Sequence, residues 1–568
     1  MKVLLYSINS RAIQSNLAIY YLAEYASAKN PEVNFECLES SINQPDTQQL
    51  AEILAIKPNL IAISCYIWNI ESVTRLCSDI KKVSPEMIIL LGGHEVSHDP
   101  QTYLKQGICD YVITGEGEIP FAKFVRFLQG YTPITEVDSL VYCNENEIQS
   151  NSKATELDPL DSIPSPYKGP LLKRSFVYYE VSRGCVYKCH FCLSALDRGT
   201  RFFSMQRFYS DMQKILSEKM IKQVKFVDRT FNLNLKRTNQ IFEYLRDNGQ
   251  GRNFHFEIQA ELFKPSTLEI LKTIPEGQFQ FEIGIQSIHQ KTLDLNGRSC
   301  RMDKLETNLD YILQETQVHV HLDLIVGLEG ESPEMFQESF NWAFGKRPHH
   351  LQIETLKILK GSISKNLRES KDIIFQNNPP YSLLKTALWS FEQIRQVEEM
   401  AAILEIFWNR DVLREAFWTL STNYNTPWEF MQKLNDFFKV EKLPYTGLAM
   451  KKAYSVLHKF AAQSSQQDDP FFRILVLDYL EHFQSKGKTP FPKLSETISP
   501  PHYSQIVKNL KLQSKGFIEV FKEETIFKNQ SGCYFYFGGK NEPCCRALDQ
   551  QLQLIPDDLK SQIGIPLN

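Results

Sequence analysis

No stretch of the 568-residue sequence stays apolar for the roughly 18 residues that a bilayer-spanning helix needs, so no transmembrane helix is expected. Strong charge of either sign is also missing. Lys and Arg total 63 against 67 Asp and Glu, and the scattered basic residues leave no strong footprint for DNA, RNA or an anionic membrane. The opening MKVLLYSINS has neither the length nor the small-residue cleavage pattern of a secretory signal; it reads as a first β-strand in a cytoplasmic protein. Cysteines number only 12, and in a reducing compartment clustered ones bind metal or perform redox chemistry more often than they form structural disulfides. Cys37, Cys65, Cys77, Cys109 and Cys143 fall in or beside apolar segments and read as packing.

What the sequence does contain is alternation. Over the first 130 residues, KVLLYSI, NFECLE, NLIAISCYI, MIILLGG and DYVITGE are strand-like, with helical patterns between them. Continuous apolar runs belong to strands buried on both faces, which predicts a doubly wound, Rossmann-like parallel sheet over residues 1–135. Ligands of such sheets sit beyond the carboxyl ends of the strands, here the loops at 9–15, 66–69, 92–96 and 115–118. Residues 136–175 include DPLDSIPSPYKGP and read as a linker. From 176 to 369 the alternation resumes with FVYYEVS, VKFVD, FHFEIQ, FQFEIGIQS, VHVHLDLIVG and HLQIETLKIL, six strands that suit a partial (β/α)6 barrel. Residues 370–568 are expected to form a mainly helical C-terminal domain, because spaced Trp, Phe, Leu and Ile in segments such as PWEFMQKLNDFFKV read as helix core. FIEVF and CYFYFGG read as short strands near the end.

Immediately after the first barrel strand comes EVSRGCVYKCHFCLSAL, residues 180–196, with Cys185, Cys189 and Cys192. Structural zinc normally takes four protein ligands and a ferredoxin-type cluster four cysteines, whereas a redox dithiol needs only two. Three thiolates would leave one iron of a cubane open to a chelating cofactor.

The C-x3-C-x2-C spacing, with Phe191 directly before the last cysteine, resembles the signature loop of the radical S-adenosylmethionine (SAM) family. The resemblance implies a 4Fe-4S cluster on Cys185, Cys189 and Cys192, with SAM on the open iron beside Phe191. It further implies SAM contacts from Asp228 and Arg229 in FVDRTFN, from Glu282, Gln286 and Ser287 in FEIGIQS, and from Val326 and Gly327 in LDLIVGLEGES. Arg298 and Arg301 are expected to receive the SAM carboxylate, a task suited to guanidinium groups. Cys300 reads as an inert loop thiol, and Cys533, Cys544 and Cys545 lack a familiar ligand spacing.

The order of a doubly wound domain, a proline-rich connector and the cysteine loop resembles the cobalamin-dependent radical SAM enzymes over about residues 1 to 360. On that resemblance Tyr66, Trp68, Asn69, Gly92, Gly93, His94, Gly115, Glu116 and Gly117 are expected to contact cobalamin, with the glycines admitting a large planar corrin. The D-x-H-x-x-G motif that supplies an axial histidine in some corrinoid proteins is absent, which leaves the cobalt ligand unassigned. The implied activity is methylation of an unactivated carbon by way of a 5′-deoxyadenosyl radical, with a flavodoxin- or ferredoxin-type electron donor. Rearrangement or cyclisation without net methylation, methylthiolation and a non-catalytic sensor are the alternatives. Methylthiotransferases normally carry a second cluster on three N-terminal cysteines, and the dispersed cysteines here lack that spacing.

Overall fold

A computed structural model describes residues 1–196, 199–362, 372–410 and 412–463, a few positions between 471 and 479, and three strands between 518 and 537. Two units result, residues 1–395 and 396–568. Cys533, Cys544 and Cys545 lie outside the described residues. Among the described residues no helix is long and apolar enough to cross a membrane.

In the first unit, β1 (Lys2–Asn9), β2 (Asn34–Ser41), β3 (Leu60–Ser64), β4 (Ile88–Gly92) and β5 (Tyr111–Ile113) pair in parallel in the order β2-β1-β3-β4-β5. The continuous apolar run of β1 has its expected cause. Leu4, Tyr6 and Ile8 enter one hydrophobic core while Val3 and Leu5 enter another on the opposite face. Because β1 pairs with both β2 and β3, the strand order reverses there, and the carboxyl ends of β1 and β3 flank the crevice where doubly wound sheets bind ligands.

The sheet extends past residue 135. β6 (Leu140–Asn144) and β7 (Glu147–Ser150) add antiparallel to the edge of β5, so the stretch expected to be linker contributes two strands before the connector starts. Their turn residues, Glu145 at φ 48° and Asn146 at φ 67°, are both left-handed, as a two-residue type I′ hairpin requires. Cys143 lies on β6 and is exposed, which corrects its reading as a packed thiol; Cys65, Cys77 and Cys109 are buried.

The second layer of this unit is an all-parallel sheet of six strands, β8 (Phe176–Tyr179), β11 (Gln223–Phe226), β12 (Asn253–Glu257), β13 (Phe279–Gln286), β14 (His319–Val326) and β15 (His350–Thr355), paired in that order. In β13 and β14 burial alternates strictly. Phe279, Phe281, Ile283 and Ile285 are buried with Val320, Leu322, Leu324 and Val326, and the intervening positions carry Glu282, His321 and Asp323. The expected first strand FVYYEVS breaks in two. β8 ends at Tyr179, and β9 (Ser182–Arg183) leaves the sheet to pair antiparallel with β10 (Arg201–Phe202), with Gly184 at φ 88° just beyond. The cysteine loop is therefore held between the two strands of its own small ribbon.

In the second unit, helices Arg414–Ser421, Pro427–Val440 and Met450–Ala461 bury Trp408, Phe417, Phe430, Phe438 and Tyr454. Ile518–Phe521, Glu524–Lys528 and Tyr534–Phe537 form an antiparallel sheet.

Candidate active site

Cys185 and Cys189 are buried, Cys192 is partly exposed, and all three thiols are free. The loop that carries them is tied to the segment 296–298. His190 N–H donates to the Asn296 carbonyl at 2.9 Å, and Gly297, at φ 65°, packs so closely that a Cβ there would stand 2.5 Å from the Lys188 carbonyl oxygen. Cys185 Sγ lies 3.6 Å from Thr230 Oγ1, which anchors the start of the loop to the end of β11. Burial pushes the Cys189 thiol up, and the adjacent Arg298 guanidinium opposes that shift.

Among the described residues no three His, Cys, Asp or Glu side chains converge on a single ion position. Buried polar atoms without partners supply a test of fit. Arg298 Nε, Gln286 Oε1, Glu261 Oε2 and Asp323 Oδ1 all lack hydrogen bonds. Arg298 is 6% exposed and its Nη1 is 3.9 Å from Cys189 Sγ, yet no carboxylate of the described residues lies within ion-pair distance. An unpaired buried cation is costly. A cluster with thiolate ligands, or the carboxylate of SAM, would satisfy it, so the residues present fit both groups.

Other expected SAM contacts are engaged within the protein. Asp228 is buried and accepts from Val181 N–H at 3.1 Å and from the Ser182 hydroxyl, so it braces the entry to the cysteine loop. Burial raises its carboxyl to about 6, with those hydrogen bonds opposing. Ser287 is fully buried, and its Oγ accepts from His289 N–H. Glu282 belongs to a charged row across the sheet, 2.8 Å from His255 Nε2 and 3.0 Å from Lys225 Nζ, and despite the desolvation of their surroundings these partners hold its carboxyl well below the usual range. Gln286 sits at φ 69° on a bulge in β13, the kind of local irregularity that re-aims side chains beside active sites. Val326 is buried, and a Cβ on Gly327 (φ 87°) would meet Leu383 Cδ2 at 2.2 Å, so a leucine packs closely against this glycine. Arg301 is exposed at the start of helix Met302–Glu315, and Phe191 is partly exposed in the loop. Cys300 is buried 3.9 Å from Met302 Sδ, and burial pushes its thiol up to about 12.

The expected cobalamin loops fare similarly. Asn69 is fully buried and organises its own loop, donating to the Ile8 and Ser64 carbonyls and accepting from Tyr66 N–H. Gly93, at φ 109°, is required by the protein itself, since a Cβ would stand 2.5 Å from the Cys65 carbonyl oxygen. A Cβ on Gly92 would meet the Ile113 carbonyl oxygen at an ordinary 3.7 Å, one on Gly117 would meet Leu22, and Gly115 is left-handed with open space around it. Glu116 is bound by Arg201 and lies 3.8 Å from Arg183, which also pairs with Glu118 at 2.7 Å and Glu180 at 3.1 Å. This cluster of ion pairs fastens the first sheet to β9 and β10.

Tyr66, Trp68 and His94 remain available at the crevice. Trp68 is 48% exposed and stacks on Tyr66 with ring centroids 4.4 Å apart. The His94 ring is exposed to solvent, yet the surrounding protein desolvates it, and with the charges of Arg229 and His98 this lowers its pKa. Arg229 joins the two halves. Its side chain is 54% exposed, it lies 3.7 Å from Glu257, its charge acts on Tyr66 and His94 of the first sheet, and Cys192 of the cluster loop is among the groups that raise its own pKa. The carboxyl edge of the first sheet and the three-cysteine loop are thus both within the electrostatic reach of Arg229. Ser15 Oγ, on the loop after β1, is a further buried hydroxyl without a partner. An exposed aromatic platform with unpaired polar groups fits a large, planar, amide-fringed ligand such as a corrin.

Sequence reasoning missed Glu261, Gly297, Thr230, Arg183 and Arg201. Only Gly297 and Arg183 carried a local signal, as a glycine beside arginine and as the turn before the first cysteine.

This arrangement defines a class, that of enzymes pairing a cobalamin domain with a radical SAM domain. Comparison with known families bears this out. Residues 4–125 match the B12 binding domain, residues 179–343 match the radical SAM superfamily, and residues 369–532 match a protein family of unknown function, DUF4080. The chain thus joins a B12 binding domain to a radical SAM domain, and the cofactors that go with these domains are a 4Fe-4S cluster, SAM and cobalamin. It is 22% identical over 335 residues to an uncharacterized methyltransferase, PH0819, of Pyrococcus horikoshii, covering 57% of this chain and 72% of that one. With the 2-(S-pantetheinyl)-carbapenam-3-carboxylate methyltransferase of Streptantibioticus cattleyicolor it shares 24% identity over 50% of this chain and 44% of that one. The fold matches the cobalamin-dependent SAM radical enzyme OxsB with aqua-cobalamin and SAM bound, at a TM-score of 0.59, 15% identity and 84% of each chain. It also matches the methyltransferase TsrM of Kitasatospora setae with cobalamin and cluster bound, at a TM-score of 0.57, 14% identity, 67% of this chain and 82% of that one.

Proposed function

We propose that the protein is a SAM-dependent methyltransferase acting on an unactivated carbon, with Cys185, Cys189 and Cys192 as the cluster ligands and the edge of the first sheet as the cobalamin site. The observation that carries this reading is Arg229, which lies 3.7 Å from Glu257 and interacts electrostatically both with Cys192 of the cysteine loop and with Tyr66 and His94 at the edge of the first sheet. Bound there, the cluster would supply one electron to SAM and the corrin a transferable methyl group. The chain's own residues bind and orient. Arg298 offers the buried cation for an anionic partner, Asp228 and Thr230 fix the entry of the loop, and Asn296 with Gly297 fixes its middle. Gln286, Glu261 and Asp323 present unpaired oxygens to amine or hydroxyl donors of SAM. An external flavodoxin- or ferredoxin-type donor in a reducing, cytoplasmic setting supplies the electrons. We assign residues 1–150 to the cobalamin domain, 176 to about 362 to the radical SAM domain, and the remainder to a C-terminal extension.

The test is anaerobic incubation of reconstituted protein with reductant and SAM. A methyltransferase of this kind forms deoxyadenosine, and S-adenosylhomocysteine as the methyl is passed on, and Cys189→Ala abolishes the deoxyadenosine. The chain is also 20% identical over 332 residues to an anaerobic magnesium-protoporphyrin IX monomethyl ester cyclase of Cereibacter sphaeroides. A cyclase-like activity would form deoxyadenosine without S-adenosylhomocysteine.

A further inference from the structure

After β15 the chain turns back over the barrel. Leu356 N–H donates to the Val326 carbonyl at 3.0 Å, Leu383 N–H to Leu356 at 2.8 Å, and Ile358 N–H to Tyr381 at 2.9 Å, so residues 356–358 and 381–383 form a strap across the end of β14. Leu383 of the strap, on the short strand Leu383–Lys385, is the residue seated against Gly327.

Two side chains cross from this strap to the first domain. The Tyr381 hydroxyl donates to Glu95 Oε1, and Lys360 Nζ lies 3.3 Å from Glu95 and 3.5 Å from Asp99. Lys360 also stands over the rings of Tyr103 and Tyr381 at 5.5 and 5.7 Å. Gly361, at φ 80°, meets the His98 ring so closely that a Cβ would stand 2.3 Å from it. Glu95 and Tyr381 are both buried. A buried carboxylate persists when it is paired and hydrogen-bonded, and here both partners come from the strap.

Glu95 does not act on its own loop alone. It lies in the short helix His94–Ser97 that follows Gly92 and Gly93. Ser97 Oγ donates to the Gly93 carbonyl at 2.8 Å and accepts from Gly115 N–H at 3.2 Å. Fixing Glu95 therefore fixes both glycine loops at the edge of the first sheet. The same strap touches the end of β14 through Leu383, so it bears on both domains.

We propose that the strap, through Tyr381 and Lys360 on Glu95, holds the cobalamin-bearing loops of the first domain in register with the radical SAM barrel, which makes Tyr381 and Lys360 positioning residues for cobalamin. This rests on the cobalamin site proposed above. It also assigns a role to the beginning of the stretch that matches the family of unknown function, since Tyr381 lies within residues 369–532.

The test measures release of aquacobalamin from the reconstituted full chain, by absorbance after rapid exchange, alongside iron content. Tyr381→Phe and Lys360→Met each release cobalamin at least about threefold faster with iron content unchanged, whereas Lys360→Arg, which keeps the cation, stays near wild type. Release within threefold of wild type in both variants overturns the proposal. So does a parallel loss of iron, which would mark a general structural role. A wild-type chain that holds no cobalamin fails earlier and overturns the cobalamin site itself, so the two failures are told apart.

Discussion

Replacing Gly297 by alanine perturbs the cluster loop without touching a cysteine. The residue sits at φ 65°, where a side chain costs about 1–2 kcal/mol. Its new Cβ would lie 2.5 Å from the Lys188 carbonyl oxygen and 2.8 Å from the His190 ring. Backbone cannot rotate away as a side chain can, so overpacking adds about 1–3 kcal/mol. The strain relaxes by moving Lys188, the residue before Cys189, and each 1.4 kcal/mol or so that reaches the loop is about a tenfold effect on an equilibrium. The assay is anaerobic reconstitution followed by chelator challenge, with visible absorbance reporting the cluster. Gly297→Ala should take up less iron and lose it at least about tenfold faster, while the far-ultraviolet circular dichroism stays that of the parent. A cluster as durable as wild type would refute the argument that segment 296–298 sets the position of the loop.

Gly93→Ala should act in the same way on the other cofactor: the clash with the Cys65 carbonyl displaces loop 92–98, and cobalamin retention falls while iron content holds; equal cobalamin retention would contradict it. Burial and the neighbouring His350, His319 and His255 push His321 down to about 2, so the unfolded chain, with histidine near 6.5, takes up a proton that the folded chain refuses. The stability this confers is present above about pH 6.5 and is lost as pH falls below it, about 2 kcal/mol between pH 7 and 5. Denaturant titrations at the two pH values should show a loss smaller by that amount in His321→Gln, and equal losses would count against the burial argument. Among the first-domain cysteines Cys143 is exposed, while burial pushes Cys37 and Cys109 up to about 12, so a thiol reagent should modify Cys143 first in the native protein. Labelling of Cys65, Cys77 or Cys109 at the same rate would show that the first sheet is not packed as described.

How much of this was legible in the sequence follows from what kind of signal each feature leaves. Burial on both faces leaves continuous apolar runs, so the five parallel strands of the first sheet and the six of the barrel were readable. Cysteine spacing is local, so the cluster loop was readable too. The hairpin at 140–150 was not, because its turn pairs Glu145 with Asn146 where Asn-Gly is the recognisable signature. Individual site residues were the least legible, since a polar side chain shows its type but not its partner. Asn69, Ser287 and Asp228 were readable as polar candidates, but not the nearby backbone and hydroxyl groups that they bond. Glu116 is spent on Arg201, 85 positions away, and Glu95 is held by Tyr381, 286 positions away. Glycines were as hard to read, because the close packing of Gly93 on Cys65 and of Gly327 on Leu383 leaves no mark in the sequence.

The central claim, that this one chain holds both a cluster and a corrin, is tested most directly by metal content. Anaerobically reconstituted protein, freed of unbound cofactor, should hold about four irons and about one cobalt per chain. The variant with Cys185, Cys189 and Cys192 all changed to alanine should lose the iron and keep the cobalt. A chain that binds zinc in place of iron, or iron without cobalt, would contradict the account.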